Sequence, residues 1–185
     1  MKRKAKKSII YLVIIFIVIT ILLFTIYRFI IFPKKYSDIV EDMSNKYGVE
    51  SNLVYSIMKQ ESKFNKDAIS TSGAKGLMQL MDSTAREVAR KIKTIDVKNY
   101  DLFEPNTNIE IGTKYISYLL NHYNNNYFLA IAAYNAGIGK VDNWAKNDYS
   151  SYKTIDDVLE IIEYKETKTF LKNVIKFLDY YNLLY

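Results

Sequence analysis

The sequence has 185 residues, 26 of them Lys or Arg and 20 Asp or Glu, with a single histidine, two prolines and no cysteine. This excludes a disulfide framework, a cysteine nucleophile, a Cys or multi-His zinc site and a cytochrome-type haem box; enzymatic chemistry falls to a carboxylate among hydroxyls and amides. Six basic groups and no acid lie in residues 1–32, leaving 20 of each sign in residues 33–185, and an electroneutral body argues against a nucleic-acid partner.

The chain opens with Lys2, Arg3, Lys4, Lys6 and Lys7, followed by 20 uncharged residues from Ser8 to Tyr27. At about 1.5 Å per helical residue they span roughly 30 Å, one bilayer. A cleaved signal peptide has a shorter apolar core, about 7–15 residues, and a small-residue cleavage site. Thr25 to Phe32 reads Thr-Ile-Tyr-Arg-Phe-Ile-Ile-Phe, without one. The expected reading is an uncleaved anchor over 1–32, with the span at about 8–32 and the basic end cytoplasmic, which sends the remainder to the extracytoplasmic side of the cell membrane. Pro33, Lys34 and Lys35 form a linker of about 10 Å at full extension. A domain over 36–185 is therefore expected to work close to the bilayer.

Helical periodicity dominates that domain. Apolar spacing predicts helices over 36–47, 52–62, 76–80, 83–92, 127–136 and 139–147. Ile109, Gly112, Ile116, Leu119, Leu120 and Tyr123 share one face of a helix beginning after Pro105 and Asn106. Thr154 and Asp157 form a capping-box start for a helix running to about Glu163, and Leu171, Val174, Ile175 and Leu178 lie at intervals of three and four on a last long helix. No stretch alternates over a strand's length, so the expected class is all-α. The 153 residues from 33 to 185 suffice for one core burying about two-thirds of the unfolded chain's surface.

Irregular structure concentrates between Lys63 and Lys75. The run 60–81, QESKFNKDAISTSGAKGLMQLM, sets Glu61 at a helix end beside Phe64 and a glycine-broken loop. Gly73 and Gly76 permit sharp turns, while Asn65, Ser70 and Gln79 offer hydrogen bonds without charge. A glutamic acid so placed tends to have its pKa raised by desolvation, as a general acid near neutral pH requires; a Glu at a helix end is also commonly a solvated surface group. A second cluster, Ala130 to Gly139, surrounds Tyr134 and Asn135 with small residues. It reads either as a tightly packed helix capped by Gly137 or as one whose Tyr-Asn pair faces a cleft. Asp82 and Glu87 read as first-turn and exposed helix charges, Trp144 as core, and most of the 17 tyrosines as half-buried helix residues.

Glu61-Ser62, Phe64, Ala68, Ser70, Gly73-Ala74, Gly76-Leu77-Met78-Gln79-Leu80-Met81 and Thr84-Ala85 resemble, without a gap, the first motif of the bacterial lytic transglycosylase (SLT, goose-lysozyme-like) domain. Asn108-Ile109, Gly112 and Tyr115-Ile116 follow in order, then Ala133-Tyr134-Asn135-Ala136-Gly137 with Gly139, Val141 and Trp144, and finally Glu166-Thr167. The resemblance covers about 40 to 182. It implies a lysozyme-like helical fold, with Glu61 as the single catalytic acid/base and Ser70, Gln79, Met81, Tyr134, Asn135 and Glu166 lining the glycan site. Early in a helix, Glu166 is equally read as favourable to the helix dipole. Two departures stand out: Glu163 precedes Tyr164 where the family usually has proline, and Phe170 replaces a tyrosine of the closing motif.

The implied reaction is cleavage of the β-1,4 bond between N-acetylmuramic acid and N-acetylglucosamine in peptidoglycan. With one carboxylate, the substrate's N-acetyl group and C6 hydroxyl supply the missing nucleophiles; no metal and no other cofactor is implied. Tyr134 is expected to orient Glu61, and Ser70, Gln79 and Asn135 to hold N-acetyl and hydroxyl groups. Two rival readings are a hydrolytic muramidase on the same fold and a noncatalytic, membrane-tethered peptidoglycan-binding module. The tether further suggests action on newly emerging strands, or local wall clearance for an envelope-spanning machine.

Overall fold

The computed structural model describes residues 2–92, 95–96, 99–146 and 148–185, without the side chains of 2–6 and 8. The side chains of Lys2, Arg3, Lys4 and Lys6, and residue 147 at the expected end of a helix, lie outside this description. Contacts divide the chain into one unit up to Lys35 and a second from Tyr36.

In the first unit, α1 (Lys2–Ile26) passes into a π-helical turn, Tyr27–Ile31. Ile9–Ile31, 23 residues, is long and apolar enough to cross a membrane, and none of its most apolar stretch is buried in the structure. Two hydroxyls of the span are satisfied within the helix: Thr20 and Thr25 donate to the carbonyls of Phe16 and Ile21, one turn back.

The second unit is helical throughout, with no strand among the described residues. Its elements are α2 (Ser37–Tyr47), α3 (Ser51–Glu61), α4 (Asp82–Ala89), α5 (Pro105–His122), α6 (Tyr127–Ala136), α7 (Ile138–Ala145), α8 (Ile155–Ile161) and α9 (Lys165–Leu184). The starts are written in the sequence. Pro105 occupies the first position of α5 and Glu104 caps it by accepting from Thr107 N at 2.6 Å. Asn126 accepts from Phe128 N and Leu129 N at the head of α6. Thr154 and Asp157 close a reciprocal capping box on α8.

α6 has no polar face over Leu129–Ala133, all buried, because α5, α7 and α8 pack around it. Leu53, Val54, Ile57 and Met58 of α3, Ile109, Ile111, Ile116 and Leu119 of α5, and Leu171 and Val174 of α9 complete that core. Small residues Ala130, Ala132 and Ala133 let α6 run through its centre.

Four expectations are corrected. Residues 76–80 are not helical: they form a tight turn closed by antiparallel bridging of Lys75 with Leu80. Gly76 and Gln79 there take φ of +77° and +47°, outside the right-handed helical region. The helix expected over 83–92 ends at Ala89, and the one expected to reach Glu163 ends at Ile161, where Ile162 turns extended and buries its side chain. Trp144 is partly exposed rather than core, its ring edge-on to Tyr164 with centroids 5.2 Å apart.

Candidate active site

Glu61 is the last residue of α3, where the helix runs out of the core. Lys63 and Phe64 then take φ of +51° and +65°, two consecutive left-handed non-glycine residues, and Phe64 is buried. Such a reversal is strained, and burial of the Phe64 ring holds it in place. It folds residues 65–80 back over the end of α3.

That loop is built from its own polar side chains. Ser70 Oγ accepts from Ala74 N at 3.0 Å, and Gln79 donates its side-chain amide to the carbonyls of Ala68 and Gly76. Ser62 Oγ donates to Leu77 O at 2.7 Å. Asn108, wholly buried in the first turn of α5, accepts from Met78 N at 2.8 Å and donates to Lys75 O and Leu102 O. Lys75 is paired with Asp82 at the start of α4.

No hydrogen bond or ion pair holds the Glu61 carboxyl among the described residues. It is partly buried, and loss of solvent, reinforced by the negative charge of Glu166 in the first turn of α9, pushes its pKa up to about 8. The Tyr134 hydroxyl is raised well above its usual range, by burial first and then by the nearby Glu61. Tyr115 is pushed up to about 12, chiefly by burial; its ring centroid lies 5.4 Å from that of Tyr134.

The expected partnership of Tyr134 with Glu61 takes a different form. Tyr134 donates its proton to Met78 O at 2.8 Å rather than to the carboxylate, because the 76–80 turn brings that carbonyl to the last turns of α6. Asn135 accepts from the buried Thr167 hydroxyl at 2.7 Å, tying α6 to α9 one residue after Glu166. Phe170 is buried and lies nearly parallel to Tyr134, 5° between planes and 6.4 Å between centroids, so this position supplies a ring face without a hydroxyl. Glu163 is exposed in the link to α9.

The structure thus gathers Glu61, Tyr134, Asn135 and Glu166 at the meeting of α3, α6 and α9, with Gln79 on the adjoining turn. Met81 follows it, 41% exposed, at the head of α4. Ser70 lies further along the same loop, without a hydrogen bond to Glu61. Sequence reasoning gave no role to Ser62, Asn108, Tyr115 or Thr167. The Asn108-Ile109 motif marked Asn108 in the sequence without showing what its side chain bonds. Among the described residues no three His, Asp or Glu side chains cluster as a metal site would require. A cavity of about 690 Å³ elsewhere, between the α5–α6 turn and α9, contains none of these groups.

The Transglycosylase SLT domain profile matches residues 38–156. The soluble lytic murein transglycosylase of Salmonella typhimurium is 36% identical over 151 residues, covering 81% of this chain and 23% of the relative. The membrane-bound lytic murein transglycosylase C of Photorhabdus laumondii is 40% identical over 116 residues, 58% of this chain and 32% of the relative. Among solved structures, an inactive mutant of lytic transglycosylase Slt from Pseudomonas aeruginosa superposes with a TM-score of 0.75 at 34% identity, over 84% of this chain and 25% of that one. The 70 kDa soluble lytic transglycosylase of Escherichia coli, also solved with bulgecin A, gives a TM-score of 0.74 at 33% identity over 82% of this chain. The chain spans about a quarter of the length of the soluble relatives it matches.

Proposed function

The chain belongs to the transglycosylase SLT family, and from that premise we propose that it is a peptidoglycan lytic transglycosylase in which Glu61 is the single general acid and base. The observation that carries the proposal is the state of Glu61: a carboxyl without a hydrogen bond among the described residues, its pKa pushed up to about 8, close to Tyr134 and Glu166. A protonated carboxyl free of partners has a proton to give.

In the reaction proposed, Glu61 donates that proton to the glycosidic oxygen as the bond from C1 of N-acetylmuramic acid to O4 of N-acetylglucosamine breaks. The N-acetyl carbonyl oxygen of the muramic acid stabilises the charge developing at C1, as in substrate-assisted glycosidases. Glu61, now a carboxylate, takes the proton of the C6 hydroxyl; O6 bonds to C1 and closes the 1,6-anhydro ring. Glu61 ends protonated, no water is consumed, and the cycle is complete.

The neighbours divide the remaining work. Burial first, and the charge of Glu166 second, keep Glu61 protonated. Gln79 and Asn135 each place an amide at the site, though the structural hydrogen bonds of both leave only part of their capacity for sugar N-acetyl and hydroxyl groups. Ser70 has its hydroxyl proton to offer, and Met81 an exposed apolar wall.

The apolar Ile9–Ile31 helix anchors the protein, with the basic end inside and the catalytic unit on the extracytoplasmic face, where peptidoglycan lies. Replacing Glu61 by Gln keeps the shape and removes the transferable proton. Release of glycan fragments should fall by at least the ~10²–10⁴ of general acid catalysis. Near-parental turnover by Glu61→Gln would sink the assignment.

A further inference from the structure

Met78 is held at every part of its structure. Its N–H is accepted by Asn108 Oδ1 at 2.8 Å, its carbonyl takes the Tyr134 proton at 2.8 Å, and its side chain is fully buried. The side chain fits because α5 carries a glycine opposite it: a Cβ at Gly112 would stand 2.3 Å from Met78 Sδ and 2.8 Å from its Cε. Gly76, two residues before Met78, is equally confined, since a Cβ there would stand 2.2 Å from Leu102 O and 2.3 Å from Asn108 Nδ2. The turn that carries Gln79 and leads into Met81 is therefore plugged into α5, not resting on it.

We propose that Asn108 and Gly112 are positioning residues for substrate: together they form a socket on α5 that seats Met78 and so fixes the place of Gln79 and Met81 beside Glu61. This rests on the reading of the site as glycan-binding. It assigns the α5 residues a task distinct from acid–base chemistry, since neither Asn108 nor Gly112 contacts Glu61 among the described residues.

A rigid socket explains why Gln79 can keep a φ of +47° without glycine's freedom. The backbone bonds on both sides of it, at Met78 and at the Lys75–Leu80 bridge, over-determine its conformation. The substrate-facing groups are then preorganised, and binding need not order the turn.

The test fills the socket. Gly112→Ala is compared with the parent in the full chain in detergent, reading KM and kcat for release from purified glycan strands and the alkaline limb of kcat/KM. In parallel, sedimentation of the same substitution on a Glu61→Gln background with insoluble peptidoglycan reads binding without turnover. A displaced wall should raise KM and weaken sedimentation by roughly tenfold, short of the ~10²-fold that a 1 Å misplacement can cost, while kcat and the limb stay within about twofold. Adding Met78→Ala, which removes the Sδ and Cε that the new methyl strikes, should recover part of the loss. A substitution that merely lowers the folded fraction reduces apparent kcat at constant KM, so that pattern overturns the proposal, as does unchanged KM and binding in a folded Gly112→Ala.

If Gly112→Ala does not fold, Met78→Ala alone empties the socket and carries the same expectation; unchanged KM and binding there also overturn it. Because sedimentation needs no catalysis, a chain that binds peptidoglycan in a Gly112-dependent way but releases nothing would uphold the socket and refute the transglycosylase reading.

Discussion

At the scale of the residue, the decisive balance is at Glu61. A carboxyl ordinarily ionised above pH 4.5 is pushed up to about 8, first by desolvation and second by the charge of Glu166. The sign of the resulting pH dependence is fixed. In the proposed mechanism Glu61 must be protonated in the free enzyme, so kcat/KM should be flat below about pH 7 and fall as pH rises through about 8. Glu166→Gln removes the charge that opposes ionisation of Glu61, so the limb should move to lower pH; a pH–rate profile reads this directly. A limb that stayed in place would assign Glu166 to the dipole of α9 rather than to the acid. Glu61 itself was legible in the sequence because it heads a gapless motif carried by the residues that follow it, Ser62 to Met81. The direction of the Tyr134 hydroxyl was not, since it depends on a carbonyl 56 residues away that only the folded turn brings near.

At the scale of the element, helices with strong local signals formed where periodicity placed them: α5 behind Pro105, α8 behind Thr154 and Asp157, and α6 behind Asn126. The 76–80 turn failed that test because Leu77, Met78 and Leu80 are apolar for tertiary reasons. All three are buried in the folded turn, Met78 against Gly112 of α5, and their spacing mimics a helical stripe. The helix expected to reach 92 stopped at Ala89 although Ile92 is buried beyond it, so burial there does not imply helix. Gly76 is the residue on which this turn is most exacting. Gly76→Ala meets both a φ of +77° and two atoms closer than any Cβ tolerates. It should destabilise the fold by about 1–3 kcal/mol, the usual cost of overpacking, measured as a shift in the urea midpoint at constant m. Gly73→Ala, with open space around it but φ of +85°, should cost less, and equal shifts would refute the distinction.

At the scale of the whole molecule, a unit with 18 basic and 20 acidic side chains over 36–185 follows a basic-tailed apolar helix by three residues, Pro33 to Lys35. Under the proposed function, a tether of about 10 Å at full extension is expected to restrict cleavage to glycan near the bilayer. Inserting some 30 Gly/Ser residues after Lys35, which gives a coil of roughly 30 Å root-mean-square reach, should broaden the set of strands cut in intact cells without changing turnover of isolated strands. An unchanged cleavage pattern would remove the tether from the account. The central claim is tested most directly by mass spectrometry of the fragments that the full chain in detergent releases from purified peptidoglycan, beside Glu61→Gln. The mechanism predicts Glu61-dependent 1,6-anhydromuramic ends, one water lighter than hydrolysed ends; Glu61-dependent reducing ends, or release that survives Glu61→Gln, would contradict it.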